Sequence, residues 1–77
     1  MRNLVKHVAI TLVENADEVS VTVFKGKRVL VIELQVADSD LGKIIGEKGR
    51  VARAFRTLVS SAAAEKGMRA VLEIIAQ

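Results

Sequence analysis

The chain has 77 residues, 51% of them hydrophobic, a formal net charge of +3, and neither cysteine nor proline. This length corresponds to one domain, residues 1–77, with a small core, and the lack of cysteine excludes disulfides and thiolate metal sites. No apolar run approaches the roughly 20 residues that a membrane-spanning helix needs, and the charged start does not resemble a signal peptide, so we expect a cytoplasmic protein.

The first half of the chain predicts a helix followed by a β-hairpin. Apolar residues at helical spacing predict an amphipathic helix over 3–14, and Asn15 is suited to end it because asparagine tolerates the left-handed conformation. Alternating valines predict a strand over 19–24, and a second alternating run predicts a strand over 29–36. The short link around Gly26 favours an antiparallel hairpin.

The second half predicts two helices and a last strand. Asp38 or Ser39 is the expected N-cap of a short helix that ends near Ile45, and a longer helix is predicted over 50–65. The run 69–76 predicts a strand that pairs in parallel with the second one, because a long helical crossover joins them. The expected fold is α+β, in the order α-β-β-α-α-β, with helices on one face of a three-stranded mixed sheet. The other face is expected to be wet and to carry Glu33, Gln35, Arg69 and Glu73.

The stretch GKIIGEKGR, residues 42–50, places two glycines three apart between two predicted helices. Gly46 and Gly49 can take positive φ and let another backbone approach, where the following helix presents unpaired N–H groups and its positive dipole end. Residues 43–56 contain five basic residues and one acid, whereas the other seven basic and eight acidic residues sum to −1. The stretch therefore predicts a phosphate-binding turn, although it matches neither a Walker loop nor a GxGxxG fingerprint.

A GxxG loop between two helices is the signature of a KH domain, whose loop clamps a nucleic-acid backbone. IIGEKGRVARAF resembles the IGxxGxxI stretch of that family, and the element order resembles the type II arrangement of bacterial KH proteins. Through DEVSV, DLGKIIGEKGRVARAFRTLV and SAAA, nearly the whole chain is similar to the KhpA family of small single-KH-domain RNA-binding proteins. Glu47 departs from the usual basic or neutral residue, and its carboxylate is expected to weaken phosphate binding by about 0.2–1 kcal/mol.

The resemblance implies a non-catalytic protein that binds about four single-stranded RNA nucleotides with little sequence selectivity, in an RNA-chaperone-like or post-transcriptional role. It implies homodimers, or a heterodimer with a KH-containing protein of the Jag/KhpB type. We expect no cofactor, metal or small-molecule substrate. Nine residues are expected to bind RNA: Lys43, Ile44, Ile45, Gly46, Glu47, Lys48, Gly49, Arg50 and Arg53. For Arg53 and Arg56, the alternative interpretation is a solvated helix face.

The aromatic content bears on how bases could be held. Phe24 and Phe55 are the only aromatic residues, so we expect no exposed platform of the kind on which RRM and OB folds stack bases. A KH groove can instead be floored by aliphatic side chains. The candidates for this apolar floor are Val36, Ile44 and Ile45.

Two other functions stay open on the sequence. One is a KH-fold protein-interaction or dimerisation module that binds RNA incidentally, an alternative that Glu47 keeps open. The other is a helix-hairpin-helix DNA binder, although such motifs normally place their glycines two apart, and GEKG and the three strands fit poorly. An enzyme is not expected, because no constellation of nucleophile, base or metal ligands is recognisable.

Overall fold

The computed structural model describes residues 1–77 and contains three α-helices and one sheet. The helices are α1 (Arg2–Leu12), α2 (Leu41–Ile45) and α3 (Arg50–Ala64), and the strands are β1 (Ser20–Lys25), β2 (Val29–Val36) and β3 (Arg69–Ala76). Short 3₁₀ turns at Ala16–Glu18, Asp38–Asp40 and Glu47–Gly49 precede β1, α2 and α3. The predicted α+β class and element order are confirmed. None of the helices combines the length and apolar composition that a membrane crossing requires.

The sheet has the strand order β1-β2-β3. β1 and β2 form the predicted antiparallel hairpin, whose turn is closed by a hydrogen bond from the Gly26 N–H to the Val29 carbonyl (2.8 Å). β2 and β3 pair in parallel, as the helical crossover predicts. Val31 at the centre of β2 lies opposite Phe24 on one side and Val71 on the other.

The core lies between the sheet and the helices. Every second residue of β2 is buried, because alternate side chains of a strand point to opposite faces. Helices α1, α2 and α3 each contribute buried apolar side chains to the same cluster. Its members are Val5, Ala9, Val19, Val21, Ile32, Leu34, Val36, Ile44, Phe55, Val59 and Leu72.

The opposite face of the sheet is more apolar than the sequence predicted. The polar residues expected there do lie on it by alternation, but they share it with Phe24, Val31, Val71 and Ile75. Phe55 is buried in the core, whereas Phe24 is 53% exposed. The structure therefore exposes a single aromatic ring on this face, that of Phe24.

Two helix boundaries differ from the predicted ones. Helix α1 ends at Leu12, and Asn15 has φ −104°, so it does not provide a left-handed stop. Neither Asp38 nor Ser39 caps α2, because α2 begins at Leu41 after a 3₁₀ turn and has no side-chain cap. These expectations failed because a neighbouring carboxylate, Asp40, organises both ends.

Asp40 is the one buried charged residue, with 1% of its surface exposed. Its carboxylate accepts hydrogen bonds from the backbone N–H groups of Glu14 (3.2 Å) and Asn15 (3.0 Å), and from the Asn15 side-chain amide (3.0 Å). Burial raises the pKa of Asp40, but these hydrogen bonds and the nearby Lys43 ammonium outweigh it and hold the pKa below 3.8. Asp40 thus ties the end of α1 to the start of α2.

Candidate nucleic-acid interface

The glycine loop, residues 46–49, is a tight turn with three residues at positive φ. Gly46 has φ 77° and ψ 171°, a conformation essentially restricted to glycine. Lys48 (φ 57°, ψ 24°) and Gly49 (φ 73°, ψ 16°) are left-handed. The Gly46 N–H donates to the Gly42 carbonyl (2.8 Å) and the Gly49 N–H to the Gly46 carbonyl (3.1 Å). The loop is therefore anchored to α2 and closed directly before α3 begins.

The two glycines serve different purposes. A Cβ atom on Gly46 would overlap the Val51 side chain and lie 2.9 Å from the Val51 backbone nitrogen, so the first turn of α3 packs onto this position. A Cβ atom on Gly49 would meet nothing within 4 Å. Gly46 therefore allows the chain to pack against itself, whereas the space beside Gly49 is open to the backbone of a ligand.

Unpaired cations surround the start of α3. The two ion pairs of the protein both use Lys43, whose Nζ lies 3.1 Å from Glu14 Oε1 and 3.7 Å from Asp40 Oδ1. The cations of the loop and of the first turns of α3 are exposed and have no carboxylate within 4 Å: Lys48, Arg50, Arg53 and Arg56. Together with the positive end of the α3 dipole, they create a site that favours an anion.

A groove with a volume of about 480 Å³ opens beside the loop, between α2, α3 and β3. Its lining residues are Ile45, Gly49, Ala52, Arg53, Arg56 and Ile74. Ile45 is 39% exposed and Ile74 is half-buried, so the groove combines apolar surface with two guanidinium groups. A second hollow, of about 580 Å³, lies along α3 alone and shares Arg53 with the groove. The groove is the better candidate because three elements and the open glycine converge on it.

The structure changes the roles of three predicted site residues. Ile44 and Val36 are 0% exposed, so they belong to the core and cannot form the floor of the groove, which corrects that expectation. Lys43 is engaged with two acids and not with the loop. The other predicted residues do lie in the loop, at the start of α3 or in the groove: Ile45, Gly46, Glu47, Lys48, Gly49, Arg50 and Arg53.

Sequence reasoning did not select two residues that line the groove. The predicted site does not include Arg56, although this residue lies three positions after Arg53 and so shares its side of the helix. Ile74 carries no local signal, because only the parallel pairing of β2 and β3 places it near α2 and α3.

Comparisons with known proteins agree on the family of the chain. Residues 2–74 match the family model described as "KhpA/KhpB, KH domain". The chain is 48% identical over 75 residues to the RNA-binding protein KhpA of Caldanaerobacter subterraneus, covering 97% of this chain and 100% of that protein. It is 44% identical to the RNA-binding protein KhpA of Aquifex aeolicus, covering 97% and 95% of the two chains.

A solved structure shares the fold. It is the crystal structure of Era in complex with MgGDPNP and nucleotides 1506–1542 of 16S ribosomal RNA. The TM-score is 0.57 at 21% sequence identity, and the match covers 97% of this chain but 29% of that one. This likeness is one of fold.

Proposed function

Because the chain belongs to the KhpA/KhpB family of KH domains, we propose that it is a non-catalytic RNA-binding protein. The observation that carries the proposal is the glycine loop, where the open side of Gly49 meets the start of α3 among unpaired cations. The relatives named RNA-binding protein KhpA support RNA as the ligand. The sheet and the family both disfavour a helix-hairpin-helix DNA binder.

The loop and the groove bind different parts of a single strand. A phosphate approaches Gly49, where Lys48, Arg50 and the α3 dipole compensate its charge. The neighbouring bases lie in the groove against Ile45 and Ile74, for a site of about four nucleotides. Ile45 and Ile74 present no pattern of donors and acceptors, and Arg53 and Arg56 present donors only, so we propose that sequence selectivity is low. Bases reach the groove only when they are unpaired, so we propose that single-stranded RNA is bound in preference to a duplex of equal length.

We further propose that the protein acts as a dimer in the cytoplasm, in an RNA-chaperone-like or post-transcriptional role. A weak site gains apparent affinity when two copies bind one RNA. The family model spans both KhpA and KhpB, which supports either a homodimer or a heterodimer with a KhpB-type protein. Sedimentation of the purified chain that shows a species of only 8.3 kDa at high concentration would remove the homodimer.

The test of RNA binding places a second acid in the loop through Glu47→Asp combined with Lys48→Asp. Lys48 is left-handed, and Asp adopts that conformation more readily than Lys, so the change fits the backbone. The exposed position predicts a stability change of no more than about 0.5 kcal/mol. We expect loss of single-stranded RNA binding in fluorescence anisotropy, with an unchanged thermal melt.

Lys6→Asp on the exposed side of α1 is the matched control, because it makes the same charge reversal away from the loop. It is expected to retain most of the binding. If the loop variant melts normally and binds RNA as wild type does, the loop is not the phosphate clamp, and the protein-interaction module becomes the better function.

A further inference from the structure

A second cationic surface lies at the hairpin end of the sheet. The end of β1 and the β1–β2 turn supply three of its cations, and the α3–β3 connection and the start of β3 supply two. The Arg69 N–H donates to the Arg28 carbonyl (2.8 Å), which holds these two segments side by side. All five residues are exposed, and we call them the hairpin-end patch: Lys25, Lys27, Arg28, Lys66 and Arg69.

None of the patch cations is in an ion pair, since both ion pairs of the protein use Lys43. Glu65, beside Lys66, is the acid nearest in sequence, while Glu33 and Glu73 lie further along the sheet. Most of the other acids belong to the segments around the end of α1 and the start of α2: Glu14, Asp17, Glu18, Asp38 and Asp40. The hairpin end therefore carries a local excess of positive charge that attracts a polyanion.

An exposed aromatic ring borders the patch. Phe24, Val31 and Val71 form one cross-strand row on the open face of the sheet. The next row towards the hairpin end contains Arg69 and Val29, two residues or about 7 Å further along the strands. Aromatic rings stack nucleic-acid bases, and neighbouring cations hold the phosphates. This juxtaposition favours a single-stranded nucleic acid over other polyanions.

The patch is separate from the glycine loop. Helix α3 runs from the loop to the connection that holds Lys66, and its 15 residues rise about 22 Å. The longest extent of the molecule is 35 Å, so the two surfaces lie towards opposite ends. Strand β3 contributes to both, because Ile74 lines the groove while Val71 and Arg69 belong to the open face.

We propose that the hairpin-end patch and Phe24 form a second contact surface for single-stranded RNA. A base stacks on Phe24, and the adjacent phosphates contact Arg69, Lys27 or Arg28. The inference rests on the proposed RNA-binding function and adds a dependence on length: a strand longer than the groove engages both surfaces. Two weak contacts on one strand strengthen binding because the second contact is intramolecular.

The test compares two double variants that each remove one Lys and one Arg. Lys27→Ser with Arg28→Ser changes the patch, and Arg2→Ser with Lys6→Ser changes the exposed side of α1. Each is titrated with unstructured RNAs of about five and about eighteen nucleotides, the shorter one just filling a KH groove. For the longer RNA, the patch variant is expected to lose about tenfold in affinity at about 0.1 M salt. The slope of the logarithm of its binding constant against the logarithm of the salt concentration (the salt slope) becomes shallower by about 1.4, or about 0.7 for each lost phosphate contact. For the α1 variant, the affinity for the longer RNA and the salt slope are expected to change far less.

Phe24→Leu tests the aromatic part of the surface, because it keeps an apolar side chain in the strand but removes the ring. Loss of one stacked base is expected to weaken binding of the longer RNA about fivefold, with an unchanged salt slope. Binding of the shorter RNA is expected to stay at the wild-type level in both the Phe24 and the patch variants. Thermal melts check that each variant is folded.

The outcomes separate this inference from the proposed function. If the patch variant binds the longer RNA as the α1 variant does, while wild type binds the shorter RNA normally, only the second surface is overturned. Wild-type protein that binds neither RNA overturns the proposed function, and the second surface with it. A loss confined to the longer RNA supports both.

Discussion

Two turns less than ten residues apart use their charged groups in opposite ways. The turn Asp38–Asp40 precedes α2 and buries a carboxylate that accepts three hydrogen bonds from the chain itself. The turn Glu47–Gly49 precedes α3, and its charged side chains are exposed and unpaired. The charge of the first turn is used within the fold, whereas the charges of the second are available to a ligand.

The two turns differ because the fold supplies hydrogen-bond partners to the first and no acidic partner to the second. The segment that follows α1 brings the N–H groups of Glu14 and Asn15 to Asp40, so the charge of Asp40 is compensated within the fold. No acidic segment approaches Lys48 or Arg50 within 4 Å. Cations with no internal partner, such as Lys48 and Arg50, can bind an external anion with little competition from the protein.

The largest expected effect comes from Gly46→Ala. This variant tests whether one glycine of the loop is needed for packing within the fold. The new Cβ would overlap Val51 in a backbone conformation that is essentially restricted to glycine. We expect a loss of about 2–4 kcal/mol from backbone strain and overpacking. In a domain of this size, that lowers the midpoint of a thermal melt by more than about 8 °C.

Gly49→Ala is the matched control for Gly46→Ala. It also places a Cβ at positive φ, but in the left-handed region and with open space around it, so it costs about 1–2 kcal/mol. Equal melting midpoints for the two variants would show that the contact with Val51 does not distinguish the glycines.

Asp40→Asn tests the turn Asp38–Asp40, whose buried carboxylate is bonded within the fold. The amide keeps the shape of the carboxylate but replaces one acceptor oxygen by a donor group, which then faces the N–H of either Glu14 or Asn15. We expect a melt lower by several degrees and faster hydrogen exchange at those two amides, with RNA still bound by the folded fraction. Asp38→Asn, at an exposed position whose side chain makes no hydrogen bond, is expected to melt as wild type does. A similar melt for both variants would mean that Asp40 does not hold α1 to α2.

The pH dependence of stability is the next effect in size. The folded-state pKa of Asp40 is lower than the ordinary value of 3.8, so the ionised carboxylate stabilises the fold above that value. This contribution is lost as the pH falls below 3.8 and through the folded-state pKa. Urea unfolding of wild type and Asp40→Asn is therefore expected to differ at neutral pH and to converge in strong acid. A difference that persists at the acid end would assign the loss to packing and not to charge.

The comparison also explains what the sequence could and could not predict. Alternation predicted β2 and the run 69–76 predicted β3, both with the bounds that the structure has, and the spacing of Gly46 and Gly49 predicted the loop. These signals are local, since period and turn chemistry are read within a few residues.

The errors concern groups that meet only after folding. The partners of Asp40 are 25 and 26 residues away in the chain, so Asp38 and Ser39 appeared to be better caps. Ile74 reaches the groove only through the pairing of β2 with β3. The hairpin-end patch joins residues 25–28 to residues 66–69, and no sequence window contains both.

The smallest expected effect comes from Glu47→Lys, which makes the glycine loop uniformly cationic. Glu47 is exposed and unpaired, so stability is expected to change by no more than about 0.5 kcal/mol. The change removes a repulsion and adds an attraction, each worth about 0.2–1 kcal/mol at an exposed site. We expect a several-fold tighter complex in anisotropy titrations, and a salt slope steeper by about 0.7 because one more phosphate is neutralised.

The control for Glu47→Lys is Asp17→Lys, which adds the same charge in the exposed turn before β1. Net charge alone acts at long range and is screened beyond about 10 Å at about 0.1 M salt, so Asp17→Lys is expected to leave the slope nearly unchanged. If both variants tighten binding and steepen the slope equally, the gain comes from net charge. The phosphate would then lie away from the glycine loop. The difference between the buried charge of Asp40 and the exposed charges of the loop would then be unrelated to RNA binding.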